Sequence, residues 1–390
     1  FIVAAKRTAF GNFGGALKAV SATELGAAAA RAALASAKID PTIIDSSIVG
    51  NVAQTSADAP YIARHVALKA GMRQDSTALT VNRLCGSGFQ AVVNAAQEIK
   101  LGEAGVVLAA GAESMSQAPM STYGHNVRWG TRLGSDLALV DTLWAALTDS
   151  YSKTPMGITA ENLAEQYDLS REDVDAYAYR SQQAWAAANE AGVFKSEIEA
   201  MELPKGKVFD TDEGPRPQTS LEKLSTLPTV FKKNGTVTAG NASGITDGAA
   251  ALILASEAAV KEHNLTPLAR VVSWGISGVD PTVMGIGPVP AIKQALGRAD
   301  WSLGDLDLVE VNEAFAAQYM AVEKELGLDR DITNTCGGAI ALGHPLAASG
   351  ARILTHLTHR MLDSDGKVNK VLGGACIGGG QGIAVALERA

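Results

Sequence analysis

The stretch CGSGFQAVVNAAQEIKLGEAGVVLAAGAES (85–114) places a cysteine before a glycine-containing turn, a helical pattern and a short apolar run. The apolar spacing indicates an amphipathic helix over 87–100, and the run 105–111 indicates a buried strand. The stretch HPLAASGARILTHLTHRMLDSDGKVNKVLGGACIGG (344–379) follows the same order and begins with a histidine. The chain therefore contains two versions of one unit.

A second pair of segments supports the duplication. Both have the order strand, asparagine, helix: IVGNVAQTSADAPYIARHVALKAGM (48–72) and LVEVNEAFAAQYMAVEKELGL (308–328). Asn51 precedes Cys85 by 34 residues, and Asn312 precedes His344 by 32. Cys85 and His344 thus hold equivalent places, each before a helix N-terminus. If the halves pack about a pseudo-twofold axis, these two residues can meet at the centre.

Further apolar runs bounded by Gly or Asn alternate with alanine-rich helical patterns. Strands are predicted in FIVAAKRT (1–8), SSIVGNV (46–52) and LDLVEVN (306–312), and a helix in SATELGAAAARAALASA (21–37). This alternation predicts an α/β fold with largely parallel strands and helices on both faces. Residues 118–248 are richer in Met, Tyr, Trp and Pro. We interpret them as an inserted, partly helical region that carries binding loops, between an N-terminal half (1–117) and a C-terminal half (249–390).

The composition excludes several classes of protein. The 390 residues are 47% hydrophobic, which suffices for a large core, and the net charge of −8 argues against a general nucleic-acid binder. Three cysteines do not make a disulfide framework. No membrane span is expected, because no run of about 20 apolar residues lacks polar breaks. Since the sequence begins at Phe1, already in a strand pattern, we expect any targeting segment to lie outside it.

Cys85 is the first candidate for chemistry. A helix N-terminus stabilises a thiolate and would lower its pKa from about 8.5. Gly86 and Gly88 would let a substrate approach the backbone. The alternative is a small buried cysteine near a tight turn. His344 alone among the histidines is flanked by glycines at a predicted helix start, so it could accept the thiol proton.

The other polar candidates leave two interpretations open. Cys376 precedes a glycine-rich turn that could cradle an anionic oxygen, or it is a buried strand cysteine beside a bend. Asn312, with Glu313, ends a strand where ligands bind in parallel sheets, or it simply caps that strand. Cys336 has no comparable partner and is interpreted as structural. His65, His263, His356 and His359 are interpreted as surface or packing residues, and no cysteine or histidine spacing fits a metal site.

Taken in order, five motifs resemble the thiolase family over essentially the whole chain: NRLCGSGFQ, GNASGITDGAAA, VNEAF, GGAIALGHPLAASGAR and CIGGGQG. The resemblance implies two similar halves in a five-layered α-β-α-β-α core, with the loop domain 118–248 laid over coenzyme A. It implies a homodimer or homotetramer. Coenzyme A would be a substrate, with no tightly bound cofactor and no metal.

The resemblance also implies roles for single residues. Cys85 would be the nucleophile that becomes acylated, His344 would activate it, and Cys376 would be the acid/base. Asn312 with His344 would hold an oxyanion-binding water, and the backbone N–H groups of Cys85 and Gly378 would form a second oxyanion hole. Three positions match those that contact coenzyme A in the family: Arg216, Thr219 and Ser243.

Further segments resemble the degradative mitochondrial branch of the family, which cleaves 3-ketoacyl-CoA in β-oxidation: AAKRTAFGNFGG, ESMSQAPM, RPQTSLE and MGIGPVPA. This implies the mitochondrial matrix. Pro155, where short-chain members often have His, favours a broader acyl range. The alternatives are an acetoacetyl-CoA thiolase working toward condensation and a non-catalytic acyl-CoA-binding protein. The chain departs from the family pattern at Cys336, where Asn is usual, and at Ala347, where Gly is usual.

Overall fold

A computed structural model describes residues 1–390. The strands in chain order are β1 (Ile2–Thr8), β2 (Gly11–Asn12), β3 (Ser46–Gly50), β4 (Thr77–Val81), β5 (Val106–Ser114), β6 (Met120–Ser121), β7 (Val140–Asp141), β8 (Thr148–Asp149), β9 (Thr154–Pro155), β10 (Ile198–Glu199), β11 (Met201–Leu203), β12 (Lys207–Phe209), β13 (Thr246–Ala255), β14 (Ala269–Gly278), β15 (Leu308–Val311), β16 (Lys370–Ile377) and β17 (Gln381–Arg389). Every strand predicted from the apolar runs is present.

The helices in chain order are α1 (Ala22–Ser36), α2 (Ile62–Lys69), α3 (Ser87–Leu101), α4 (Gly124–Val127), α5 (Thr142–Ala146), α6 (Met156–Gln166), α7 (Arg171–Glu190), α8 (Leu221–Ser225), α9 (Glu257–Glu262), α10 (Pro288–Ala299), α11 (Ala316–Leu326), α12 (Ala339–Leu342) and α13 (Ala348–Leu362). Local sequence sets their ends: the Ser21 hydroxyl accepts the Glu24 N–H at the start of α1. Gly102, with a φ of 75°, ends α3.

The two halves repeat one strand pattern. The N-terminal sheet has the order β4-β3-β5-β13-β1, and the C-terminal sheet has the order β15-β16-β17-β14. In each half a parallel pair (β3 with β5, β15 with β16) is followed by antiparallel neighbours. One residue pair, Ile2 with Ala269, joins the two sheets. The predicted duplication is confirmed, but the expectation of largely parallel strands is wrong because β1, β13, β14 and β17 pair antiparallel.

Five layers follow from where the helices pack. Helices α1 and α2 cover the outer face of the N-terminal sheet in one hydrophobic core, and α10 and α11 cover the outer face of the C-terminal sheet in another. Between the sheets, α3 and α13 share a third core of 28 buried residues, including Phe89 and Ile353. The predicted α-β-α-β-α fold is confirmed.

The central helices approach each other at a pair of glycines. An added Cβ on Gly88 would lie 2.4 Å from the backbone nitrogen of Ala351, and one on Gly350 would lie 2.4 Å from that of Phe89. A Cβ on Gly86 would lie 2.5 Å from the side chain of Ile377. These glycines are therefore required for packing, and the expectation that Gly86 and Gly88 admit substrate is wrong.

The inserted region consists of short strands and of helices that pack on the C-terminal half. Tyr177 and Ser181 on α7 donate hydrogen bonds to the buried Glu313 carboxylate at 2.7 and 2.6 Å. Strand β13 lies between β1 and β5. Residues 249–255 therefore belong to the N-terminal sheet and not to the C-terminal half to which the sequence pattern assigned them.

Candidate active site

Cys85 lies in the turn between β4 and α3. The preceding residue, Leu84, has a φ of 46°, which a residue with a side chain rarely adopts. Backbone strain of this kind persists where the surrounding structure enforces it, often beside reacting groups. The thiol of Cys85 faces a cavity, and the backbone N–H groups of Gly378 and of Cys85 itself lie near its sulfur.

The resting Cys85 is a thiol. Burial raises its pKa to about 11; the two N–H groups oppose this rise, and the charge of Glu113 adds to it. The expectation that a helix N-terminus lowers this pKa is wrong for the free protein, because removal from bulk water outweighs the favourable dipoles. Attack by Cys85 thus requires a base that removes its proton during the reaction.

His344 is held in one tautomer. Its Nδ1 lies 2.6 Å from the Oγ of Ser349, whose hydroxyl lies 3.1 Å from the carbonyl oxygen of Pro345. A carbonyl oxygen can only accept, so Ser349 donates to Pro345 and accepts the Nδ1–H of His344. The Nε2 atom therefore carries the lone pair. Burial, and then the positive charge of Arg352, lower the pKa of His344 to about 4, so the ring is neutral near pH 7.

Asn312 follows β15 and lies beside this ring. Its side-chain nitrogen lies 3.5 Å from Nε2 of His344. Its Oδ1 is buried and has no hydrogen-bond donor in the protein. A buried amide oxygen without a partner is costly, so this atom is suited to a ligand or a water molecule.

Cys376 lies at the end of β16 and is fully buried. Burial, followed by the neighbouring Cys85, raises its pKa well above the ordinary value of 9.0. Its sulfur packs with Met284 and Ala314, which also line the cavity that Cys85 faces. A neutral thiol at this place can give a proton to a carbanion and take one back.

Two cavities meet at this site. The first has a volume of about 300 Å³, and Cys85, His344 and Ser243 line it together with mostly apolar side chains: Met115, Trp144, Leu147, Met156, Val230, Phe231, Met284, Phe315 and Leu346. The second has a volume of about 390 Å³ and is more polar, with Arg216, Thr219 and Lys223 in its lining. Ala242 and Gly244 line both, so a long ligand can occupy the two together.

These cavities fit coenzyme A. Basic and hydroxyl side chains in the second cavity suit phosphates, and the narrow apolar part beside Cys85 suits a pantetheine arm and an acyl group. Arg216 and Thr219 line one cavity and Ser243 lines the other, so the structure places all three predicted contacts along this path.

Sequence reasoning missed several residues of this site. Ser349, which sets the tautomer of His344, has no pattern that distinguishes it from a helical serine. Glu113 accepts hydrogen bonds from the N–H groups of Val52, Ala53 and Ala347, and burial raises its pKa to about 7. An acidic residue in the buried run GVVLAAGAES was the available signal for it. Glu313 does not face the site, since Tyr177 and Ser181 hold its carboxylate.

No helix combines the length and the apolar character that crossing a bilayer requires. No group of three or more His, Cys, Asp or Glu side chains is arranged to hold a metal ion.

Comparison with known proteins identifies the family. The family model for the thiolase N-terminal domain matches residues 1–258, and the family model for the thiolase C-terminal domain matches residues 265–389. The chain belongs to the thiolase family, as its motifs indicated.

Individual relatives match over their full length. The mitochondrial 3-ketoacyl-CoA thiolase of Mus musculus is 60% identical over 391 residues, which cover 100% of this chain and 98% of the relative. An acetyl-CoA acetyltransferase of Pseudomonas aeruginosa is 49% identical with the same coverage. The crystal structure of human mitochondrial 3-ketoacyl-CoA thiolase in complex with CoA superposes with a TM-score of 0.97 at 58% identity, covering 100% of this chain and 98% of that one.

Proposed function

We propose that this chain catalyses the thiolytic cleavage of 3-ketoacyl-CoA by coenzyme A, giving acetyl-CoA and an acyl-CoA two carbons shorter, in mitochondrial fatty-acid β-oxidation. One observation carries the proposal. Cys85 and His344 line a single apolar cavity, with Cys376 behind it, and that cavity joins a basic one. The mitochondrial 3-ketoacyl-CoA thiolases at 58–60% identity support the substrate class and the matrix location.

The cavities suggest how the substrate binds. Arg216, with Thr219, would contact the phosphate-bearing part of coenzyme A, and Ser243 would lie along the pantetheine arm. The apolar side chains around Cys85 would hold the acyl chain; Leu147 and Phe231 are among them. Since these side chains are large and apolar, they favour acyl groups longer than acetyl.

In the first half-reaction, the Cys85 sulfur attacks the C3 ketone of the substrate while its proton moves to the Nε2 lone pair of His344. The C2–C3 bond then breaks, and its electron pair becomes the enolate of acetyl-CoA. The Cys376 thiol donates its proton to C2. Acetyl-CoA leaves, and the shortened acyl group remains on Cys85 as a thioester.

In the second half-reaction, free coenzyme A enters and gives its thiol proton to the Cys376 thiolate. The coenzyme A sulfur attacks the acyl carbon, and Cys85 departs as a thiolate that recovers its proton from His344. Both cysteines and the histidine return to their resting, neutral states. The cycle needs no redox change.

Negative charge develops on two oxygens in this sequence. The N–H groups of Cys85 and Gly378 lie at the Cys85 sulfur, so they would stabilise the oxyanion of the tetrahedral adduct formed there. The thioester oxygen of the enolate would receive hydrogen bonds from protonated His344 and from a water held by Asn312. Because His344 becomes a donor only after it takes the Cys85 proton, this stabilisation begins when the enolate forms. Each such site contributes about 3 kcal/mol to lowering the barrier.

Thiolysis of 3-ketoacyl-CoA substrates with acyl chains of about four to sixteen carbons tests the proposal, with Cys85→Ser as the control. We expect activity that rises beyond four carbons and is absent in the control. Activity confined to acetoacetyl-CoA would assign the short-chain function, the alternative that the 49% identity to an acetyl-CoA acetyltransferase favours. Binding without turnover at any length would identify a non-catalytic acyl-CoA-binding protein.

We also propose that residues 118–248 form the domain that covers coenzyme A, and that the chain is a homodimer or homotetramer. Arg216 and Thr219 come from this domain and line the basic cavity. Strand β4 is an edge strand, and its residues Thr77, Ala78 and Leu79 are exposed. An exposed edge is a template for pairing with a second copy. Light scattering of the purified protein distinguishes these assemblies from a monomer, which would contradict the proposal.

A further inference from the structure

Cys336 is the one thiol of the chain that the proposed reaction does not use. It lies just before the Gly337–Gly338 turn and is 5% exposed. It packs in a different hydrophobic group from Cys85, beside Trp185 and Leu342. Sequence analysis interprets Cys336 as a structural residue, and the structure adds that basic groups surround its sulfur.

The basic groups come from helix α13. Arg360 donates a hydrogen bond to the Cys336 sulfur, and the imidazole of His356 lies beside the same sulfur. The Nδ1 of His356 lies 2.7 Å from Oε2 of Glu197, whose other oxygen lies 2.7 Å from Nε of Arg7. A thiol, an imidazole and a carboxylate thus form a buried chain. His356, interpreted from the sequence as a surface or packing residue, is buried and also pairs with Glu197.

This set of contacts favours the charged form of both Cys336 and His356. Burial opposes a charge on His356, but Glu197 outweighs it and raises the pKa of His356 to about 10. Burial also raises the pKa of Cys336, but the hydrogen bond and charge of His356, together with the charge of Arg360, outweigh it and lower that pKa overall. Cys85 and Cys376 have raised pKa values, so Cys336 differs from both.

A small cavity adjoins the Cys336 sulfur. Cys336, His356, Arg360 and Glu310 all line it, and its volume of about 10 Å³ is near the minimum for one water molecule, so entry of hydrogen peroxide requires the lining side chains to shift. Glu310 is 3% exposed, and its Oε1 accepts a hydrogen bond from Arg352. Its Oε2 accepts none from the protein. The cavity therefore offers a nucleophilic sulfur, donors and a free acceptor to a very small polar molecule.

We propose that this cavity is a peroxide-reactive site, in which Cys336 reduces hydrogen peroxide and becomes a sulfenic acid. The Cys336 sulfur attacks one peroxide oxygen, so that an S–O bond forms and the O–O bond breaks. The leaving hydroxide takes the proton of the His356 imidazolium and becomes water. Sulfur loses two electrons and the peroxide gains them, so hydrogen peroxide is the only co-reactant.

The lining determines which oxidant fits. Hydrogen peroxide can donate a hydrogen bond from an O–H group to Glu310 Oε2, and Arg360 can stabilise the departing hydroxide. A disulfide such as oxidised glutathione is far larger than the cavity. Cys336 is therefore a site for peroxide and not for thiol–disulfide exchange, and it lies outside the acyl-CoA path.

Quantitative mass spectrometry of the full chain tests the proposal. The protein is exposed to hydrogen peroxide at pH 7 without acyl-CoA, then unfolded and alkylated, and the fraction of each cysteine that remains alkylable is measured over time. We expect Cys336 to be lost about tenfold faster than Cys85 or Cys376, with recovery after dithiothreitol. Equal rates at Cys336 and Cys376 would overturn the proposal.

Variants at Arg360 and Glu310 identify the groups responsible. Arg360→Gln removes a charge at the sulfur and should slow the oxidation of Cys336 about fivefold, whereas Arg360→Lys keeps the charge and should stay within about twofold of wild type. Glu310→Gln should also slow the oxidation of Cys336. Thiolate absorbance at 240 nm provides a second measurement, since Cys336→Ser should abolish it at pH 7. Unchanged absorbance in Cys336→Ser would show that no thiolate is present and would overturn the proposal.

Discussion

Ser349 lies 2.6 Å from Nδ1 of His344, and its own hydroxyl proton is committed to the carbonyl oxygen of Pro345. This fixes the proton of the neutral imidazole on Nδ1 and leaves the lone pair of Nε2 on the side of Asn312. A base for the Cys85 thiol requires that lone pair. Ser349 is therefore a positioning residue for His344.

Ser349→Ala removes the hydrogen bond that fixes the tautomer of His344. We expect kcat for thiolysis to fall about tenfold or more, with KM for acyl-CoA nearly unchanged, because the wrong tautomer cannot accept the Cys85 proton. Ser349→Thr retains the hydroxyl and should recover part of the loss. A fall in thermal stability without any change in kcat of the folded fraction would contradict the positioning role.

The raised pKa of Cys85 predicts how its alkylation depends on pH. With a pKa of about 11, the thiolate fraction grows throughout the neutral range. The rate constant for iodoacetamide at Cys85 should rise about tenfold per pH unit between about pH 6 and 9, measured in a Cys336→Ser background. A plateau across this range would instead indicate a Cys85–His344 ion pair in the free protein.

The pattern of the chain predicts the repeated halves because each half carries its own local signals. The runs around β3, β5 and β15 are apolar and bounded by Gly or Asn, so neighbouring residues define them. The direction of a strand relative to its neighbours, in contrast, is not set by adjacent residues. Nothing within β13 indicates that it pairs antiparallel with β5, about 140 residues earlier in the chain.

The contrast between local signals and long-range contacts also explains which site residues could be predicted from the sequence. Cys85 and His344 occupy equivalent places in the repeat, so the repeat itself indicates them. The pKa of Cys336 is lowered, against the effect of burial, by His356 and Arg360, and His356 in turn pairs with Glu197, which lies 159 residues from it. Local sequence contains no signal for such a contact, so sequence analysis interprets Cys336 as structural and His356 as a surface or packing residue.

The close approach of α3 and α13 predicts opposite effects at two helical glycines. Gly88→Ala should destabilise the protein by more than about 2 kcal/mol, because the new Cβ would lie 2.4 Å from backbone that cannot move separately. Gly297→Ala in α10 is the control. No atom lies within 4 Å of a Cβ there, so we expect a gain of about 0.5–1 kcal/mol. Urea unfolding of both variants checks the pair, and equal effects would contradict the packing argument.

The basic cavity predicts a substrate-specific effect at Arg216. Arg216→Gln should raise KM for coenzyme A about tenfold, because a charged contact with phosphate is lost, and should leave kcat nearly unchanged. N-acetylcysteamine, a thiol without the phosphates, should show the same KM in variant and wild type. An equal loss with both thiols would place Arg216 elsewhere than at the phosphate-bearing end.

The buried Glu197–His356 pair predicts how stability depends on pH. Folding raises the pKa of His356 to about 10, so its stabilisation is fully present below the unfolded value of 6.5 and is lost as pH rises through 10. Folding lowers the pKa of Glu197, so its contribution is present above 4.5 and is lost in acid. A Cys336→Ser background removes the opposing thiol titration and also the part of the His356 shift that Cys336 causes, but Glu197 still raises the pKa of His356. In this background Tm should therefore fall as pH rises from about 6.5 toward 9. Adding Glu197→Gln removes the charge that raises the pKa of His356. We expect the fall to become smaller by at least about 2 °C, measured by calorimetry. Because other titrating groups are common to both proteins, an identical fall in the two would show that this pair does not set the alkaline limit.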